Sequence, residues 1–228
     1  MENEPTKDLK DAEFQQFVIR FTCLDDVLDL YRIHYESFKM SGFKYAHFAE
    51  DWTNRRLDNK FRTIGCFAGK DLVGFVHIEM EVLSSDEKRT EEEVDLVTEA
   101  ESRLASIHTL AVDRRYHRQG IGSKLMEVAF TFLSIQERPP KFAYLHVHRQ
   151  NRGGQTLYKK FGFTERNLIP RYYPKDYAIN RDRAAYVYVR KLNSPKVLFN
   201  LEETELQDQV KHCSSSLLER FERCIRLR

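Results

Sequence analysis

RRYHRQGIGSKL, residues 114–125, is the stretch on which the fold turns. Its first half is basic, with Arg114, Arg115 and Arg118, and its second half sets Gly120 and Gly122 one residue apart before small and apolar helix formers. Ahead of it RLASIHTLAV (103–112) reads as a strand, and behind it an apolar helix runs from 120 to about 136. The first N–H groups of a helix lack intrahelical acceptors and sit at the positive end of its dipole. Glycines there let a ligand approach the backbone, so amides alone can wrap a pyrophosphate. Two readings are open at this point: a phosphate cradle, and a loop that merely starts a helix. Two known phosphate loops are excluded. A dinucleotide fingerprint would have a third glycine where Leu125 stands, and a Walker loop needs glycine, lysine and serine in that order, whereas Ser123 precedes Lys124.

Working outward, KFAYLHVHR (141–149) is a strand introduced by Pro139 and Pro140, which cannot extend the preceding helix. GGQTLYKKFGF (153–163) gives a short helix ended near Gly162, and AAYVYVRKL (184–192) a last strand. On the other side, FVIRF (17–21) is a strand followed by a helix over 25–37. A second helical stretch reaches about 60, with Phe48, Trp52 and Leu57 at helical spacing. FRTIGCFAGKDLVGFVHIEMEVL (61–83) is a hairpin, because Gly69, Lys70 and Asp71 supply turn chemistry between alternating apolar residues. This order predicts an α/β or α+β single domain with a mixed sheet.

The 228 residues carry 37 Lys and Arg against 35 Asp and Glu, with no polybasic block interleaved with aromatics, which argues against a nucleic-acid partner. There is no apolar h-region and no run of eighteen apolar residues, so neither a cleaved signal nor a spanning helix is expected. Cys23, Cys66, Cys213 and Cys224 are scattered and read as reduced thiols, which places the chain in the cytoplasm or nucleus. Residues 84–101 hold eight acids against Lys88 and Arg89 and form an acidic insert, either a solvated loop or a docking surface for a basic partner. The tail after Pro195 has Leu206, Val210, Leu217, Phe221 and Ile225 at mostly helical spacing. It either packs on the domain or a partner protein, or lies on a membrane surface, against which stand four acids in 202–208.

HRQGIG (117–122) resembles the acetyl-CoA signature of the GNAT acetyltransferases, with His117 where Gln or Arg is usual. YLHVHRQNRGGQTLYKKFGF (144–163) is similar to the closing half of GNAT domains, and within them to protein N-terminal acetyltransferases of the NatE and NatF catalytic-subunit type. The matching positions are His146, Asn151, Tyr158 and the pair Tyr172 and Tyr173. The resemblance implies a mixed, mostly antiparallel sheet flanked by helices over 15–192; outside it, the polar residues 1–14 read as a flexible N-terminus and 193–228 as a C-terminal helical extension. It implies that Leu110 and Val112 offer strand backbone to the acetyl and pantetheine groups of acetyl-CoA. Residues Arg118, Gln119, Gly120, Ile121, Gly122 and Ser123 would wrap its pyrophosphate, and Asn151 would hold it from the next helix. Tyr158 would stand beside the sulfur as proton donor to the leaving thiolate, and Tyr172 and Tyr173 would line the mouth through which a peptide enters.

An α-amine has a pKa near ~7.7–8.0 and a lysine amine near ~10.4, so an acceptor must be deprotonated before it attacks. His146 is the right residue type. Ser106 stands where the NatE and NatF types carry a tyrosine, and a serine hydroxyl is no base near neutral pH without an activator of its own. His108 is a replacement, as a base or as a wall of the substrate pocket: residues two apart share a strand face, so Ser106, His108 and Leu110 are expected to point together. His146 and His148 also share a face, but two ligands without a third make no metal site, and none is expected. The sequence thus reads as an acetyl-CoA-dependent N-acetyltransferase working by direct transfer in a ternary complex. A peptide or protein N-terminal α-amine is the expected acceptor; a small amine or lysine side chain, or a catalytically weak acetyl-CoA-binding module, are the alternatives.

Overall fold

A computed structural model describes residues 17–38, 44–57, 60–82, 103–175 and 182–192. The expectations for the N-terminus, the acidic insert and the C-terminal extension lie outside these residues. Among the described residues seven strands form one sheet in the order β1-β2-β3-β4-β5-β7-β6, in which β1 is Phe17–Phe21, β2 Phe61–Ala68, β3 Asp71–Val82, β4 Arg103–Val112, β5 Phe142–His148, β6 Thr164–Ile169 and β7 Ala185–Lys191. All neighbouring pairs are antiparallel except β4 with β5. The hairpin turn between β2 and β3 is tight because Gly69 takes φ 62°, a left-handed conformation open to glycine.

Side chains alternate along the strands, and each face has its own cover. On one face, Ile64, Cys66, Val76, Ile78, Ala105, Ile107, Leu145 and Val147 pack under α3 (Ile121–Ser134) and α4 (Arg152–Lys160). The α3 side supplies Ile121, Leu125, Met126, Val128, Ala129, Phe132 and Leu133, an apolar stripe at helical spacing. On the opposite face, Phe67, Leu72, Phe75 and Ala111 pack against Leu30 and Ile33 of α1 (Val27–Phe38) and Phe48 and Trp52 of α2 (Tyr45–Leu57).

Two irregularities shape the middle of the sheet. The parallel pairing of β4 with β5 covers Leu104 with Phe142, Ala105 with Ala143 and Ser106 with Tyr144, and no further. Beyond Ser106 the strands part and leave a gap. In addition, Ile78 pairs with Ile107 and His77 with Thr109, which leaves His108 as an extra residue, a β-bulge. The expected common face of Ser106, His108 and Leu110 therefore breaks at the bulge. Ala105 and Ile107 face α3, and past the extra residue Leu110 and Val112 do so, while His108 turns to the α2 side against Phe61 and His77.

The sequence missed β6. TERNLI is exposed along almost its whole length and carries no apolar alternation; it is a strand because the edge of β7 offers it hydrogen-bonding partners.

Candidate active site

The segment between β4 and α3 is held from below by a buried carboxylate. Asp113 accepts from the Arg115 backbone N–H at 3.0 Å and from its guanidinium at 2.7 Å, and from Arg32 of α1 at 2.8 Å. The Arg115 guanidinium, with that of Arg32, holds the Asp113 carboxyl well below the usual carboxylate range against the opposing effect of burial. Arg115 is thus paired to Asp113 while its side chain stays exposed, and Arg114 and Arg118 are the other cations of the loop. His117, at the variant position of the signature, donates through Nε2 to the Val112 carbonyl at 2.8 Å and pins the loop to the strand.

Past this anchor the backbone reverses through Arg118 at φ 66° and Gly120 at φ 81°, both left-handed. Gly120 is the N-cap of α3 and gives no side-chain cap, and the first helical bond runs from the Lys124 N–H to the Gly120 carbonyl at 3.0 Å. The amides of Ile121, Gly122 and Ser123 are left without helical acceptors. Gly122 is not required by the protein's own packing. A Cβ there would meet Leu157 Cδ2 at 3.5 Å and Val112 Cγ2 at 4.0 Å, ordinary contacts. The space above this amide suits an anion, and a pyrophosphate group fits the donors present. Ile121 points its side chain into the core, so only its backbone is offered.

The edge of β4 that borders the gap also carries open backbone groups. The Asp113 N–H bonds the Val73 carbonyl at 2.8 Å, so strand alternation turns the amides of Val112 and Leu110 away from β3 and into the gap. Leu110, Val112, Leu157 and Tyr158 lie on the α3 and α4 side. Tyr158 is buried against Phe163, with ring centroids 6.0 Å apart. Asn151 caps α4: its Oδ1 accepts from the Gly154 N–H at 2.9 Å, and Nδ2 is the donor group of its side chain.

On the other face the structure brings together the residues expected near the amine. His146 stacks on Tyr172, with centroids 4.3 Å apart and planes 12° from parallel, and Tyr172 meets Tyr173 edge-on at 4.9 Å. Tyr173 stacks in turn on His148. The Nδ1 of His148 accepts from the Gln150 N–H at 3.0 Å, so its Nε2 carries the proton and donates to the Asp182 carbonyl at 3.1 Å. That makes His148 a brace for the tyrosine loop. Ser106 is buried in register with Glu79 and Tyr144. Across the gap from His146, His108 is hydrogen-bonded through Nε2 to a Glu79 carboxylate oxygen. Among the described residues no group of three His, Cys, Asp or Glu is placed to hold a metal, and no helix is long and apolar enough to cross a membrane.

Sequence reasoning missed Asp113, Glu79 and His77. The last two could have been found from HIEME, in which a histidine and an acid two residues apart share a strand face. His77 hydrogen-bonds Thr63 Oγ1 through Nδ1 at 2.7 Å, Thr63 accepts from Trp52 Nε1 at 3.2 Å, and His77 Nε2 is buried with no partner. Burial pushes the His77 imidazole down to about 3 and that of His34 to about 4. An unfolded histidine titrates near ~6.5. Between that value and the folded ones the unfolded chain binds more protons, so stability is full above pH ~6.5 and falls as the pH drops, by roughly 1.4 kcal/mol per unit for each histidine. Urea midpoints of wild type and His77→Gln at pH 5–8 should show the variant losing about one proton's worth of that slope.

Residues 24–163 match the acetyltransferase (GNAT) family. The similar curated relatives include two further N-acetyltransferases. An uncharacterized N-acetyltransferase of Methanocaldococcus jannaschii is 28% identical over 149 residues, 64% of this chain and 58% of that protein. N-alpha-acetyltransferase 60 of Xenopus tropicalis is 23% identical over 208 residues, 90% of this chain and 80% of that protein. The crystal structure of Arabidopsis thaliana NAA60 with acetyl-CoA superposes with a TM-score of 0.62 at 23% identity, covering 78% of this chain and 99% of that one. A split sheet with a glycine-turned helix start on one side of the gap, and a family match spanning more than half of the sequence, agree: the chain belongs to the GNAT acetyltransferase family.

Proposed function

We propose that this protein transfers the acetyl group of acetyl-CoA to the α-amine of a peptide or protein. The observation that carries the reading is the gap between β4 and β5, with the glycine-turned start of α3 on one face and the stacked pair His146 and Tyr172 on the other. Acetyl-CoA supplies an activated acyl group. Its pyrophosphate suits the amides of 121–123 with Arg118 and Gln119 alongside, and the backbone of Leu110 and Val112 suits the arm that follows. Asn151 Nδ2 is a further donor on that side. Tyr158 is the phenol in reach of a departing sulfur. On the amine side an attacking ammonium has two protons to lose, one before attack and one as the amide forms, and two imidazoles, His108 and His146, flank the gap to take them, directly or through water. Tyr172 and Tyr173 flank the acceptor's first residues.

The α-amine is favoured over a lysine because it needs far less help to lose its proton near neutral pH. The name of the Xenopus relative supports the same acceptor. The test is acetyl-CoA turnover, read as free thiol, against peptides differing in their first two residues, with free lysine and polyamines alongside. Turnover of particular N-termini is the expected result. Turnover of the small amines alone overturns the acceptor, and silence despite tight CoA binding overturns the enzyme.

A further inference from the structure

We infer that Glu79 is a positioning residue for His108, the two forming a carboxylate and imidazole pair at the amine side of the gap, in which Glu79 fixes the ring nitrogen left to receive a proton. The inference rests on the reading of His108 as a proton acceptor.

Three features carry it. His108 is the extra residue of the β4 bulge, on the face of Ser106, and its side chain reaches over β3, where Glu79 pairs in register with Ser106. The carboxylate is the inner member of the pair and the imidazole the outer, at 18% and 37% side-chain exposure, so the order from the core outward is acid, ring, opening. The hydrogen bond runs from Nε2–H to the Glu79 carboxylate, which leaves the lone pair on Nδ1. Phe61 limits the ring from one side, with centroids 6.1 Å apart.

The other titratable neighbours are accounted for. His77 of β3 meets His108 edge-on at 6.0 Å and is held neutral by burial; His34 of α1 is likewise neutral near pH 7. Arg55 of α2 lies over Phe61 at 5.1 Å rather than against His108, and β5 presents His146 across the gap. Glu79 is the carboxylate that His108 touches.

The proton step is simple. An N–H bond of the acceptor's α-ammonium breaks, its electron pair stays on nitrogen, and the proton forms Nδ1–H on His108. The positive charge moves onto the ring beside Glu79, which stabilises it, and the exposed ring later returns the proton to water.

Glu79→Gln separates charge from position, because its carbonyl oxygen still accepts from Nε2–H. Nitrogen NMR of the His108 ring in the full chain should show the proton on Nε2 in wild type and Glu79→Gln, and a mixture of tautomers in Glu79→Leu. With the most active peptide of the panel, Glu79→Gln should lower kcat about ten-fold through the lost charge beside the ring, with KM little changed. Glu79→Leu, which also removes the acceptor, should lower kcat further. An unchanged tautomer and an unchanged kcat in Glu79→Leu, with His108→Ala inactive, overturn the role of Glu79 and leave His108 as the base. Full kcat in His108→Ala overturns the base reading itself, and with it the pair's part in catalysis, whatever the tautomer.

Discussion

His146→Ala should lower kcat by about 10²–10⁴-fold, the contribution of one positioned acid–base group, and leave the affinity for CoA unchanged. The separation follows from the sheet. His146 lies on the face of Tyr144 and Tyr172, while the amides of 121–123 are on the α3 side. A side chain that meets only the acceptor has no lever on the nucleotide. Its stack on Tyr172 complicates the alanine variant, since removing one ring takes the stacking partner from the other. His146→Phe is the control, because it keeps a flat ring against Tyr172 and has no nitrogen. If proton transfer is the role, both variants lose turnover together; if stacking is the role, phenylalanine restores it. Initial rates of thiol release and calorimetric CoA binding, on the same preparations, decide between them.

Gly122→Val should raise the KM for acetyl-CoA by roughly 10- to 100-fold, the loss of one hydrogen bond to a charged group at about 1.5–3 kcal/mol. The fold should barely notice. A Cβ at 122 meets only ordinary contacts from Leu157 and Val112, so the first carbon of the added side chain finds room. The two glycines of the motif therefore separate. At Gly120, where φ is 81°, a side chain strains the backbone by about 1–2 kcal/mol whether or not a ligand is present. At Gly122 the loss appears only with the nucleotide. Thermal melts without ligand should show Gly120→Val destabilised and Gly122→Val near wild type, while kinetics should show both impaired. An unaltered KM in Gly122→Val would remove the pyrophosphate from this helix start.

Most of the frame could be read in advance because its signals are local. FVIRF, the AGKD turn, the proline-led strand KFAYLHVHR and the apolar stripe of α3 each announce themselves within a few residues. What stayed hidden depends on partners distant in the chain. TERNLI pairs because β7 has an edge to offer, and no pattern within TERNLI records it. The face of Leu110 was misjudged because alternation was carried through His108, where β3 skips a residue. Asp113 stayed hidden for the same reason, since its partner Arg32 lies 81 residues away; HIEME shows Glu79 as an acid on the face of His77, but not its partner His108, 29 residues away. His146, Tyr172 and Tyr173 were singled out through family likeness, and their stacking shows only once β5 and the 172–173 loop are in place.

The single unpaired residue in β4 also governs how this strand can change over evolutionary time. Segments exchanged with a relative whose strand has the same count keep inner residues inner and outer residues outer. One gained or lost residue on either side of His108 would invert everything beyond it, carrying Leu110 and Val112 from one lining to the other. Point replacements are open to this strand, whereas gaps are not, and an alignment that slides by one here describes a different molecule.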